Sequence, residues 1–198
     1  MHALLDRPLW VFDMDGTLTV PAHDFAAFKA KHGLPADRDL LGATLALPEP
    51  RRREVLDAID VWEDAIARAA QAQDDAVALL DALVEQGARC AVLTRNSREG
   101  AFITLEAAGL LPYFVDQDLI LGRDCALAKP APDGVLEVLR RAGSTPAEAV
   151  MVGDWVFDVM AGRNAGTATV LVERHGPAPE DWRSWCDVRV ERLDVLIS

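Results

Sequence analysis

Short apolar runs recur along the chain and read as buried strands. They are 9-LWVFD-13, 88-ARCAVLT-94, 149-AVMVGD-154 and 168-ATVLV-172, with a weaker run at 118-DLILG-122 and a last one at 187-DVRV-190. None alternates cleanly between apolar and polar positions, which favours a parallel sheet covered on both faces. Helical spacing lies between the runs. Residues 75-DAVALLDALVEQG-87 place Val77, Leu80, Leu83 and Val84 on one face, with Asp74 or Asp75 as a candidate N-cap and Gly87 as a stop. Further helices are predicted over 98–109 after Ser97, over 132–143 with Pro132 in the first turn, and over 155–166, each closed by a glycine. This alternation, with right-handed crossovers, predicts an α/β fold built on a doubly wound parallel sheet.

One segment breaks the alternation. Between residue 19 and about residue 73 there is no strand pattern. A short helix is predicted over 24-DFAAFKAKHG-33, then a connection containing Pro and Gly, then a long helix from Pro50 to Ala70. The apolar face of the long helix is Val55, Ile59, Trp62 and Ile66. The organisation expected is therefore a core made of residues 1–19 and 74–198, with a small α-helical cap, residues 20–73, inserted after the first strand.

Composition narrows the function classes. At 198 residues the chain supports one good core and a modest insertion. A formal charge of −12 repels nucleic acid and anionic membrane surfaces, and Arg51-Arg52-Arg53 is the only basic run, read as a solvated helix start. Cys90, Cys125 and Cys186 are far apart and odd in number, which argues against a disulfide framework or zinc site and fits a reducing cytoplasm. No signal-peptide pattern opens the chain, and no apolar run approaches the roughly 20 residues of a membrane span. No nucleic-acid or membrane partner is expected.

The candidate chemistry lies at the strand ends, where open α/β sheets bind their ligands. Strand one delivers Asp13 and then Asp15; strand two delivers Thr94, Arg95 and Asn96; Lys129 follows the weak third run; strand four delivers Asp154, with Asp158 one turn on. Crowded carboxylates require a cation or a proton to offset them. Hard oxygen ligands suit Mg²⁺, and a lysine and a hydroxyl suit phosphate. A nucleophile, a metal and cationic donors are the equipment of phosphoryl transfer.

These residues give the sequence a specific resemblance. It resembles the haloacid dehalogenase superfamily of phosphotransferases: DMDGTL at 13–18, Thr94, Lys129 and GDWVFD at 153–158 match its four motifs in order. The nearest likeness is to phosphoglycolate-phosphatase-like members, whose cap is usually longer than this one. The resemblance implies a Mg²⁺-dependent phosphatase acting on a small phosphorylated metabolite. It implies that Asp13 attacks phosphorus to form an aspartyl-phosphate and that Asp15 serves as acid and then base. Asp13, Asp15 through its carbonyl, and Asp154 would hold Mg²⁺, with Asp158 supporting the metal shell or orienting Lys129. Thr94 and Arg95 would bind phosphate, Asn96 would contact phosphate or leaving group, Lys129 would offset charge, and Gly16 would give the tight turn. Asp15 itself favours phosphate esters over haloacids, because a halide leaving group needs no acid. His23, Lys29, Lys31, His32 and Arg51 to Arg53 are candidate substrate contacts from the insertion, His23 the foremost.

Other readings stay open. A phosphomutase of the β-phosphoglucomutase kind uses the same core. A signalling receiver domain is a phospho-acceptor with similar residues, but its acceptor aspartate sits on a later strand. A catalytically retired binding module is a third. An EF-hand loop starting at Asp13 is rejected, since its twelfth position is Asp24 and a strand precedes it. The C-terminal Trp182 and Trp185 are expected to pack on the core, with a dimer contact as the alternative; monomer and homodimer are both compatible.

Overall fold

The computed structural model describes residues 2–174 and 176–197. After a short helix α1 (His2–Leu5), the core strands are β1 (Leu9–Phe12), β2 (Arg89–Leu93), β3 (Ile120–Leu121), β4 (Ala149–Gly153), β5 (Ala168–Val172) and β6 (Val188–Val190). They form one sheet of order β3-β2-β1-β4-β5-β6, parallel throughout. Every residue of β1, β4 and β5 is buried, which is why their sequences show no alternation. The faces still alternate. Trp10 and Phe12 enter a cluster with Leu79, Leu83 and Leu105, whereas Leu9 and Val11 enter a second with Val135, Val138 and Met151.

Helices α5 (Asp74–Glu85), α6 (Arg98–Ala107), α7 (Asp133–Ala142) and α8 (Val156–Ala165) cover the sheet. From β1 the chain winds out through β2 to β3, then crosses back to β4 on the other side of β1. The order reverses between β1 and β4, and a crevice opens at such a point beyond the strand ends.

Between β1 and α5 the chain forms α2 (Phe25–Lys31), α3 (Leu40–Leu45) and α4 (Arg51–Arg68). These helices share a small core of their own, made of Phe28, Leu34, Ala43, Val55 and Ile59. The chain leaves and re-enters the α/β core side by side: the Val20 N–H donates to the Gln71 carbonyl and the Gln73 N–H to the Leu18 carbonyl, both at 2.9 Å.

Three local expectations are corrected. Helix α3 occupies what reads as an irregular connection; six residues are too few for a periodic signal, and the N-cap Asp39, accepting from the Gly42 N–H, starts it. The N-cap of α5 is Gln73, and Asp75 is instead fully buried. The buried face of α5 is Ala76, Leu79, Leu80 and Leu83, so Val84 is exposed.

Candidate active site

The backbone of Asp13 is still held by the sheet, its N–H donating to the Val152 carbonyl at 2.8 Å. Its carboxylate is fixed from one side by Lys129, whose ammonium lies 2.5 Å from Asp13 Oδ1 and 2.6 Å from Asp158 Oδ1. The side chains of Lys129 and Asp158 are 2% and 3% exposed, that of Asp13 13%. Asp13 is thus the member of this trio that faces open space. Asp158 is committed at both oxygens, because its Oδ2 also accepts from the Trp155 N–H at 3.0 Å.

The chain then turns sharply. Gly16 has φ 85°, and a Cβ there would lie 2.2 Å from Asp154 Oδ2. The turn sends Asp15 to the opposite side, where Asn96 Nδ2 donates to its Oδ2 at 2.8 Å and His23 Nδ1 lies 3.6 Å from its Oδ1. Thr94 is buried, its N–H bound to the Leu121 carbonyl at 3.0 Å and its Oγ1 accepting from the Asn96 N–H at 3.1 Å. One cavity of about 620 Å³ is lined by Asp13, Asp15, Thr94, Arg95, Asn96, Lys129, Asp154, Asp158 and His23. Of the other insertion candidates, Lys29 reaches it, whereas Lys31, His32 and Arg51 to Arg53 do not. Arg51 and Arg52 pair instead with Glu54 and Glu49 on the helix surface.

Carboxylate oxygens of Asp13, Asp154 and Asp158 lie within 4.8 Å of one another. A hard oxygen set of this size fits Mg²⁺. Because both oxygens of Asp158 are taken, Asp13 and Asp154 are the residues best placed to hold the ion. The side chain of Asp15 points to Asn96 and His23 and is not in this set. Burial, then the charges of Asp13 and Asp158, push the Asp154 carboxyl above the usual carboxylate range, a cost that a bound dication removes. Burial first and Asp13 second push Asp15 up to about 7. Burial alone would lower the Lys129 ammonium, but Asp13 and Asp158 overrule it and hold it above its ordinary value. Burial lowers His23, so its imidazole is neutral beside Asp15 at neutral pH.

Several site residues escape a reading by sequence. Arg123, just past β3, binds Glu63 Oε2 at 2.7 Å and Asp60 Oδ1 at 2.9 Å, joining α4 to the sheet edge. Arg174, just past β5, donates to the carbonyls of Gly16 and Thr17 at 2.9 and 3.0 Å and to Asp75 Oδ2 at 2.7 Å, bracing the Asp13–Thr19 turn from behind. Both follow strand ends, the signal that identified the other residues. Phe25, Trp155 and Phe157 also line the cavity, and nothing in their spacing marks them.

The geometry has parallels in known proteins. The family model for haloacid dehalogenase-like hydrolases matches residues 9–166. An uncharacterized hydrolase of Saccharomyces cerevisiae is 33% identical over 94% of this chain and 88% of its own length. The probable phosphatase IndB of Dickeya dadantii is 32% identical over 84% of this chain and 81% of its own. A predicted phosphoglycolate phosphatase from Haemophilus somnus shares the fold, with a TM-score of 0.76 at 21% identity over 97% of each chain. The chain belongs to the haloacid dehalogenase-like hydrolase family.

Proposed function

We propose that this hydrolase is a Mg²⁺-dependent phosphatase that cleaves a small organic phosphate monoester through an aspartyl-phosphate on Asp13. The observation that carries this reading is the placement of Asp13 and Asp15. Asp13 faces the cavity with a carboxylate paired to Lys129, and Asp15 stands across from it with a carboxyl that titrates near neutrality. In the first step an Asp13 oxygen bonds to phosphorus as the ester P–O bond breaks, and the Asp15 carboxyl gives its proton to the departing alkoxide. In the second step the Asp15 carboxylate takes a proton from water, whose oxygen attacks phosphorus. Inorganic phosphate leaves and the Asp13 carboxylate is restored.

Asn96 holds Asp15 in line for both proton transfers. Thr94 and the Arg95 N–H are placed to bind phosphoryl oxygens, and Lys129 balances charge on the nucleophile. Asp13 and Asp154, with the Asp15 carbonyl, would hold Mg²⁺, which would supply positive charge to the phosphoryl oxygens. The helical insertion acts as a cap, since His23, Phe25, Ile59 and Glu63 close one side of the cavity. Among the described residues no helix is long and apolar enough to cross a membrane, and the three cysteines are unpaired, which supports a reducing compartment such as the cytoplasm.

The test is phosphate release from p-nitrophenyl phosphate and a metabolite panel, with Mg²⁺, with EDTA, and with Asp13→Asn. Turnover that needs Mg²⁺ and vanishes in Asp13→Asn supports the reading. Isomerised sugar phosphate in place of free phosphate would move it to a phosphomutase, and silence across the panel from folded, Mg²⁺-bound protein to a non-catalytic role.

A further inference from the structure

The cavity carries two uncovered aromatic rings. Phe25 and Trp155 are 49% and 53% exposed, and both line the cavity. Among the described residues they are the only aromatic side chains in the set of exposed large hydrophobics. Each ring is braced from behind. Phe25 stacks on His23 at 5.2 Å, and Trp62 meets both edge-on. Trp155 is held edge-on by Trp182 at 4.6 Å. Exposed apolar surface gathered at one concave site marks a place where a ligand covers it, and rigid rings favour another ring.

Two of the cations lining the cavity, Arg95 and Arg123, are already paired with acids. Arg95 binds Asp39 at 3.0 Å, and Arg123 binds Glu63 and Asp60. Lys29 donates to the carbonyls of Ala36 and Arg38 at 2.8 and 3.1 Å. Arg38 sits at the exposed rim. A carboxylate or second phosphate on the leaving group that reached Arg95 or Arg123 would have to break one of these pairs and then sit beside the acid released. A volume of about 620 Å³ also holds far more than a two-carbon acid.

Resting on the phosphatase reading above, we propose that the leaving group is uncharged and carries a planar aromatic ring that stacks against Phe25 or Trp155, which makes nucleoside 5′-monophosphates the substrate class. Phosphoglycolate and pyrophosphate carry an extra charge that the acid-paired Arg95 and Arg123 do not receive.

The experiment compares kcat/KM, with Mg²⁺, for uridine and adenosine 5′-monophosphates, phenyl phosphate, ribose 5-phosphate, phosphoglycolate and pyrophosphate. At least one nucleotide is expected to exceed ribose 5-phosphate and phosphoglycolate by about tenfold or more, the order expected of one base–aromatic stack. Phe25→Ala or Trp155→Ala should reduce the nucleotide to ribose 5-phosphate ratio by a similar factor, and the conservative Phe25→Tyr or Trp155→Phe should restore it. Preference for phosphoglycolate or pyrophosphate, or a ratio unmoved in both alanine variants, overturns the proposal. Phenyl phosphate matching the nucleotides overturns the nucleoside assignment. If no compound is hydrolysed, the phosphatase reading has failed separately, and calorimetric titration with uridine, adenosine and ribose decides the ring site. Nucleoside binding that weakens in Phe25→Ala or Trp155→Ala upholds it, and no binding of either nucleoside overturns it.

Discussion

Gly16 occupies a left-handed conformation within van der Waals reach of the Asp154 carboxylate. Any side chain there meets two penalties, backbone strain and displacement of Asp154. Gly16→Ala is expected to cost about 1–3 kcal/mol of stability and to lower Mg²⁺ affinity, as read by thermal melting with and without the ion. Asp75 is a second such residue. Its Oδ2 takes the Arg174 guanidinium and the Leu193 N–H, both at 2.7 Å, in a fully buried position. Removing one partner leaves the other charge buried and uncompensated, so Arg174→Ala should cost about 3–5 kcal/mol. It also frees the carbonyls of Gly16 and Thr17, so residual activity in the folded fraction should fall as well. Chemical denaturation and a specific-activity measurement on the same sample check both halves.

At the scale of elements, two arginines tie the helical insertion to the α/β core. Arg95, beyond β2, holds Asp39 at the start of α3, and Arg123, beyond β3, holds Asp60 and Glu63 on α4. The first pair is largely solvated and contributes little. The second is different, because Glu63 is mostly buried, and burial raises its carboxyl even against the pull of Arg123. Arg123→Ala therefore strands a buried acid and should loosen α4 against α6. The expected outcome is faster proteolytic cleavage at the paired connections near residues 20 and 71, together with a raised KM. Cleavage and KM equal to those of the unaltered protein would show that apolar packing alone seats the insertion.

For the whole molecule, the strand ends concentrate negative charge on a chain that already carries −12. Asp15, Asp154 and Asp158 all titrate above their ordinary value, each with burial as the leading cause. Raised carboxyls hold protons to higher pH in the folded state than in the unfolded one. The metal-free fold consequently loses stability as pH rises above about 4, the unfolded carboxylate value, and the loss continues until these groups ionise, Asp15 near pH 7. A dication bound among them displaces those protons, so its affinity rises with pH, by about tenfold per unit for each proton released. The gain in melting temperature on adding Mg²⁺ is expected to be larger at pH 8 than at pH 6. An equal gain at both would mean that the acids are already ionised without the ion.

The sequence by itself determined the sheet, its parallel sense and most of the residues that line the candidate site. Buried parallel strands must be apolar without alternation, and open sheets present ligands at strand ends, so Asp13, Thr94, Lys129 and Asp154 can be found by position along the chain alone. What depends on proximity across the chain was decided only by the tertiary structure. Asn96 meets Asp15 across 81 residues, and Arg174 reaches Gly16 across 158. The same holds for Asp75, which reads as a helix cap until the fold brings Arg174 and Leu193 onto its carboxylate. The uncovered rings of Phe25 and Trp155 belong here too, because periodicity records which side chains face a core and carries no trace of two aromatic residues sharing one cavity.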